Sequence, residues 1–193
     1  MPDFLLQLDR HLFYFINHNL SNPFFDWIMP WLRNREIWIP LYLFIIVFCT
    51  WKYKKTGLVI IVLMALSAGF ADFTSASIIK PIAQRVRPCR DPVVAKTDVM
   101  RVSCGTGYSF PSTHATDHFA MAFFLIILFY KKWRWILLWG ILWAGAISFA
   151  QVYVGVHFPI DVFCGAIYGT LVGWLFAFLF RKIQQRFLSS ANA

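Results

Sequence analysis

A chain of 193 residues that is 59% hydrophobic and 19% aromatic, with a mean hydropathy of +0.60, carries too little polar surface to cover a soluble domain. Its net charge of +9 invites a nucleic-acid reading, but the positive residues punctuate apolar stretches instead of lining one polar face, so nucleic acid is excluded as a partner and the lipid bilayer takes its place. The chain reads as an all-α integral membrane protein with one domain over 1–193, a helical bundle of about five transmembrane helices plus an N-terminal interfacial helix.

The stretch from Asp3 to Leu20 is interrupted by Asp9, Arg10 and His11, while Phe4, Leu5, Leu8, Leu12, Phe15 and Ile16 recur at helical spacing. That pattern places the N-terminal segment, 1–33, on the membrane surface and not through it. It lacks the short apolar core and small-residue cleavage site of a removable signal peptide. Two spans follow, over 36–52 and 57–79, the first short and flanked by Trp38 and Trp51 as interfacial anchors. A long connection, 80–111, leads to spans over 113–130, 133–153 and 159–180.

Charge sets the orientation. Lys52, Lys54 and Lys55 follow the first span, Lys131, Lys132 and Arg134 the third, and Arg181, Lys182 and Arg186 the fifth, so all three clusters fall on one side by parity and mark it as cytoplasmic. The N-terminus, the 80–111 connection and the short connection before 159 then face outward, which predicts a multi-pass protein of the cell inner membrane with its site toward the periplasm or exterior. The outward connection is itself basic, with Lys80, Arg85, Arg87, Arg90, Lys96 and Arg101. Positive charge on the disfavoured side is explained most simply by an anionic ligand. Cys89 and Cys104 lie in that connection, where an oxidising compartment permits a bridge, whereas Cys49 and Cys164 lie inside spans as packing residues.

Three polar clusters sit at outer ends of spans. Lys80 and Arg87 offer a compact charge and a planar fork for phosphate oxygens, although basic residues at a helix end commonly just snorkel to headgroups. Ser112 reads as an N-cap that leaves the first N–H groups of the third span, including that of Thr113, aimed outward at an anion; His114 lies in the first turn. His118, one turn deeper, reads as structural, and Asp117 demands a partner. His157 and Asp161 flank Pro159, which suits the first helical position, so Asp161 can reach back, orient the imidazole and leave one ring nitrogen free to attack. Parity brings the three clusters to one face, a constellation for phosphoryl transfer. No glycine-rich phosphate loop is present and the carboxylates are scattered, so neither a metal nor a cofactor is expected.

These residues resemble the phosphatidic acid phosphatase type 2 superfamily, whose pattern is a lysine, six residues and Arg-Pro; then Pro-Ser-Gly-His; then Ser-Arg, five residues, a histidine, three residues and an aspartate. The chain carries Lys80 with Arg87-Pro88, Pro111-Ser112-Thr113-His114, and His157 with Asp161, but has threonine for the glycine and Ala150-Gln151 for Ser-Arg. The resemblance implies a membrane phosphatase: His157 attacks phosphorus to give a phosphohistidine, Asp161 orients it, His114 protonates the leaving oxygen and then activates water, and Lys80, Arg87, Ser112, Thr113 and Gln151 hold the phosphate. Its expected substrate is a lipid phosphate or pyrophosphate, first undecaprenyl pyrophosphate, then phosphatidylglycerol phosphate, phosphatidic acid or a lipid A phosphate. Gln151 cannot neutralise charge, so either one of Arg85, Arg90 or Arg101 makes up the loss, or the enzyme is slower or tuned to another substrate. The alternatives are transfer of phosphate to another acceptor, and a non-catalytic lipid-phosphate binder or flippase. Nothing in the sequence indicates an oligomeric state.

Overall fold

The computed structural model describes residues 3–188; residues 1–2 and 189–193 of the expected 1–193 domain lie outside the described residues. Helix α1 (Asp3–Tyr14) runs through a π turn into α2 (Pro23–Leu32), whose N-terminus is capped by the Asn22 side chain accepting from the Phe25 N–H at 2.9 Å. Helix α3 (Ile39–Phe73) is not straight: Lys54, at φ 50° and ψ −123°, breaks it, and the second limb returns against the first. Gly57 makes that return possible, because a Cβ there would sit 1.9 Å from the Cys49 carbonyl oxygen. The apparently single helix is thus the two spans expected over 36–52 and 57–79, and the second continues through a π turn into α4 (Lys80–Ala83).

Three more helices complete an all-helical membrane bundle: α5 (Thr113–Phe129), α6 (Trp135–Tyr153) and α7 (Pro159–Ile183). The α3 region, α6 and α7 are long and apolar enough to cross a bilayer, and α5 is a shorter apolar helix of 17 residues. Helices α5 and α7 form the centre. On α7 the glycines recur at every fourth position, so a Cβ at Gly165 would lie 2.7 Å from Ser112 O, one at Gly169 2.2 Å from Thr116 O, and one at Gly173 2.5 Å from Ala120 O. Backbone therefore meets backbone along the whole seam, the mode of close packing open to helices in lipid, where no hydrophobic drive remains between them. Below the seam, Phe124, Phe129, Ala177 and Phe180 pack with Cys49, Ile60, Leu63 and Met64 of both α3 limbs.

The N-terminal helices lie across the end of the bundle at which α5 and α7 begin. Phe4, Leu5, Leu8, Leu12 and Phe15 of the first turns remain exposed, while Asp9, Phe13 and Asn17, spaced by four, point into the protein and are buried. Phe13 packs on Phe158, and Met29 of α2 packs with Ala150, Tyr153 and Val154 of α6. The irregular stretch 84–112 is pinned beneath this cover by the Cys89–Cys104 disulfide, by Arg10 on Asp91 at 2.9 Å, and by Arg101 on Asp26 at 2.5 Å.

Candidate active site

The seam between α5 and α7 decides where the site sits. Ser112 donates its backbone N–H to Asp161 O at 2.9 Å, which ties the first residue of one helix entry to the first turn of the other. Lys80, Arg87, Ser112, Thr113, His114, Gln151, His157 and Asp161 all lie at this one end, contributed by four helices and by the two connections that precede α5 and α7. Gly155, at φ 91°, lets the chain turn sharply after α6 and present His157 back toward the seam.

The His157 ring is wired on both sides. Its Nε2 lies 3.3 Å from Arg87 Nη1, and since a guanidinium can only donate, Nε2 carries a lone pair and the ring proton is on Nδ1. Nδ1 is 3.7 Å from Asp161 Oδ2, too far for a direct hydrogen bond, and Ser109 closes the gap: its Oγ is 3.3 Å from Nδ1 and donates to Asp161 Oδ2 at 2.5 Å. Asp161 Oδ2 also accepts the Phe158 N–H at 2.9 Å across the start of α7, with Pro159 as the first helical residue as expected. Burial is the dominant influence on His157 and lowers its pKa to about 4, with Asp161 pulling the other way, so the ring is neutral near pH 7.

Arg87 is held in place by carbonyls and not by a carboxylate: Nη1 donates to Val156 O at 3.0 Å and Nε to Gly107 O at 3.3 Å. Arg87 makes no ion pair among the described residues, and its guanidinium faces His157. The Lys80 ammonium acts on both Arg87 and His157. Ser112 stands at the N-cap of α5, yet its side chain does not cap; Oγ is buried without a partner, and the Thr116 hydroxyl takes the Ser112 carbonyl instead. The Thr113 hydroxyl accepts from Ser75 Oγ at 3.3 Å, so the hydroxyl is engaged with the neighbouring helix while the Thr113 N–H remains at the helix start. His114 makes no side-chain hydrogen bond among the described residues, and lies where the charges of Arg33 and Arg35 act on it.

His118 stays out of this cluster, its ring between Tyr42 Oη at 3.1 Å and the His114 carbonyl at 2.7 Å, in keeping with a structural role. Asp117 finds its partner in Arg35 at 3.3 Å. The arginines expected to offset Gln151 are committed elsewhere. Arg85 bridges Asp161 Oδ1 at 2.6 Å and Asp9 Oδ2; Arg90 donates to Gly105 O; and Arg101 is taken by Asp26 and the Tyr153 carbonyl. It is Arg33, at the end of α2, whose Nε reaches Gln151 Oε1 at 3.4 Å. Among the described residues no group of three or more His, Cys, Asp or Glu side chains is placed to hold a metal ion.

Three residues at this end carry little signal in the sequence. Ser109 lies in an irregular stretch with no helical or turn signal of its own. Asp9 looked like an interruption of a surface helix, although its spacing of four from Phe13 was the clue to an inward face. Arg33 sat in a segment assigned wholly to the interface.

The family model of the PAP2 superfamily matches residues 56–185, two-thirds of the chain, including every site residue except those contributed by the N-terminal helices. The chain belongs to the PAP2 superfamily. This PAP2 protein is 35% identical over 192 residues to a lipid A 4'-phosphatase of Bacteroides thetaiotaomicron, covering 98% of the chain and 84% of the relative. It is 30% identical over 167 residues to an undecaprenyl-diphosphatase of Sulfolobus acidocaldarius, covering 85% of the chain and 74% of the relative. Its fold matches that of a transmembrane PAP2-type phosphatidylglycerolphosphate phosphatase from Bacillus subtilis, with a TM-score of 0.70 at 24% identity over 95% of this chain and 89% of that one. Aquifex aeolicus LpxE matches with a TM-score of 0.58 at 26% identity, over 88% and 94%. The PAP2 protein is accordingly a membrane lipid phosphatase, a hydrolase acting on lipid phosphate.

Proposed function

We propose that the enzyme hydrolyses a phosphate monoester of a lipid A-type glycolipid through a phosphohistidine on His157. The observation that carries the mechanism is the buried His157 ring with its Nε2 3.3 Å from Nη1 of Arg87, an arginine that makes no ion pair among the described residues. Nε2 attacks phosphorus as the P–O bond to the lipid breaks, and the leaving oxygen takes a proton from His114. His114 then takes a proton from water, the resulting hydroxide attacks phosphorus, and the P–N bond breaks to release inorganic phosphate and free His157. The positive charge that His157 carries in between is balanced by Asp161 through Ser109. Lys80, Arg87, the unpartnered Ser112 hydroxyl, the Thr113 N–H and Gln151 hold the phosphate oxygens, and no metal or cofactor takes part.

The choice of lipid rests on the 35% identity to a lipid A 4'-phosphatase along 98% of the chain. A second reading, a lipid diphosphate such as undecaprenyl pyrophosphate, is favoured by the relative at 30% identity. The basic clusters at the opposite end, and the Cys89–Cys104 bridge at this one, support a site on the extracytoplasmic face of the cytoplasmic membrane. The test is phosphate release in detergent with EDTA present, from lipid A, undecaprenyl pyrophosphate, phosphatidylglycerol phosphate and phosphatidic acid in parallel. Lipid A is expected to be the best substrate, with full activity in EDTA. Faster release from undecaprenyl pyrophosphate would install the second reading, loss in EDTA would end the metal-free mechanism, and binding without release would make the protein a lipid-phosphate binder.

A further inference from the structure

Of the other arginines at this end, those at 10, 35, 85 and 101 are accounted for by aspartates and those at 87 and 90 by backbone carbonyls. Arg33 is not. It is partly buried, pairs with no carboxylate among the described residues, and touches one neutral side chain, Gln151 Oε1 at 3.4 Å. Its position follows from packing: Met29 of α2 sits against Ala150 of α6, and residue 33, one turn on, arrives beside residue 151.

The surroundings of Arg33 are those of a site short of an anion. Gln151 is fully buried with its Nε2 unpartnered, and Ser112 is fully buried with its Oγ unpartnered. The charge of Arg33 acts on both Arg87 and His114, so the guanidinium lies on the side of the cluster where phosphate oxygens are expected. Burial alone lowers its pKa, with no acid raising it again. A desolvated cation next to another cation, with orphaned donors nearby, is costly unless an anion completes the set.

We propose that Arg33 is a phosphate-contacting residue, supplying from the N-terminal helix pair the charge that neutral Gln151 cannot supply from α6. Resting on the phosphatase reading above, this makes α2 part of the substrate site and not a mere cover. Gln151 then acts as the bracket, its Oε1 holding Arg33 Nε while Nε2 adds a neutral donor to the same phosphate.

The experiment uses the full chain in detergent, with two readouts: phosphate release from lipid A, and calorimetric binding of inorganic phosphate, which needs no turnover. Loss of one charge-assisted contact predicts that Arg33→Ala lowers kcat/KM by roughly 10- to 150-fold and weakens phosphate binding by a similar factor, with Arg33→Lys in between. The decisive variant is Arg33→Ala combined with Gln151→Arg, which moves the charge to the partner position and is expected to restore most of both readouts. Arg33→Ala within about twofold of wild type in phosphate binding would overturn the proposal, as would a loss that Gln151→Arg does not repair in a protein of unchanged melting temperature. If wild type released no phosphate from lipid A, the substrate reading would fall while the binding pair still decided the role of Arg33.

Discussion

Along the seam between α5 and α7, glycines at 165, 169 and 173 remove side chains so that two backbones touch; at the end where the two helices begin, arginines and aspartates pair among apolar residues, Arg85 over the Phe158 ring and Arg101 over the Tyr153 ring. The first region fixes distance and the second fixes charge. His114 and His157 hang from opposite sides of the seam, so their separation is set by contacts to carbonyl oxygens that cannot swing away. The charges over them are set by side chains that can, which is why nearly every one is held by a second partner: Arg85 by two carboxylates, and Arg101 by Asp26, Asn17 O and Tyr153 O.

The two regions are expected to break differently. Asp9→Asn removes a fully buried carboxylate that binds Arg85 and the Ile160 N–H, leaving Asp161 to balance Arg85 alone. Removing one partner of a buried pair costs about 3 kcal/mol, a fall in Tm of roughly 6–12 °C in a detergent melt. Turnover should fall as well, since Arg85 then draws on the carboxylate that balances His157. Asp9→Glu, which keeps the charge, should recover part of both.

Gly169→Ala should cost less, about 1–3 kcal/mol, because its Cβ would meet the Thr116 carbonyl at 2.2 Å and only a parting of α5 and α7 relieves it. The control is Gly145→Ala on α6, where nothing lies within 4 Å of the added methyl and no loss of Tm is expected. Equal melting of the two variants would deny the seam its role.

The smallest effect concerns Asp98, whose carboxylate oxygens are both buried without a partner beside the Gly155 turn. Burial raises its pKa to about 7, so the folded protein holds a proton that the unfolded chain has lost, and stability from this group declines as pH rises from about 4 to about 7. Asp98→Asn removes that decline. Its Tm should exceed wild type by about 2–4 °C at pH 8, the gain vanishing as pH falls toward 4. A gain independent of pH would mean the effect is packing and not titration.

Much of the site was legible because lipid makes charge conspicuous. His157, Asp161, Lys80, Arg87, Ser112 and His114 each interrupt an apolar run at its end, and the parity of basic clusters brings those ends together. The breaks around residues 52–57 and 80 were legible for the same reason. The rest depended on tertiary contacts that leave no local trace. Ser109 acquires its place between His157 and Asp161 only when the irregular stretch folds under α1. Arg33 becomes a neighbour of Gln151 only through the packing of α2 on α6, and the arginines nearer in sequence were already spent on aspartates. The exposed apolar residues of α1 dominated its pattern, whereas the one buried carboxylate, Asp9, is what fixes Arg85.

A covalent step at His157 leaves a trace that labelled phosphate can detect. Wild type mixed with 32P-labelled lipid A and quenched in alkali should carry an acid-labile, base-stable label on the peptide containing His157. The label should be absent from His157→Ala, whose turnover should drop by more than about 10³-fold. A label on any other residue, or turnover by His157→Ala within about tenfold of wild type, would contradict the account.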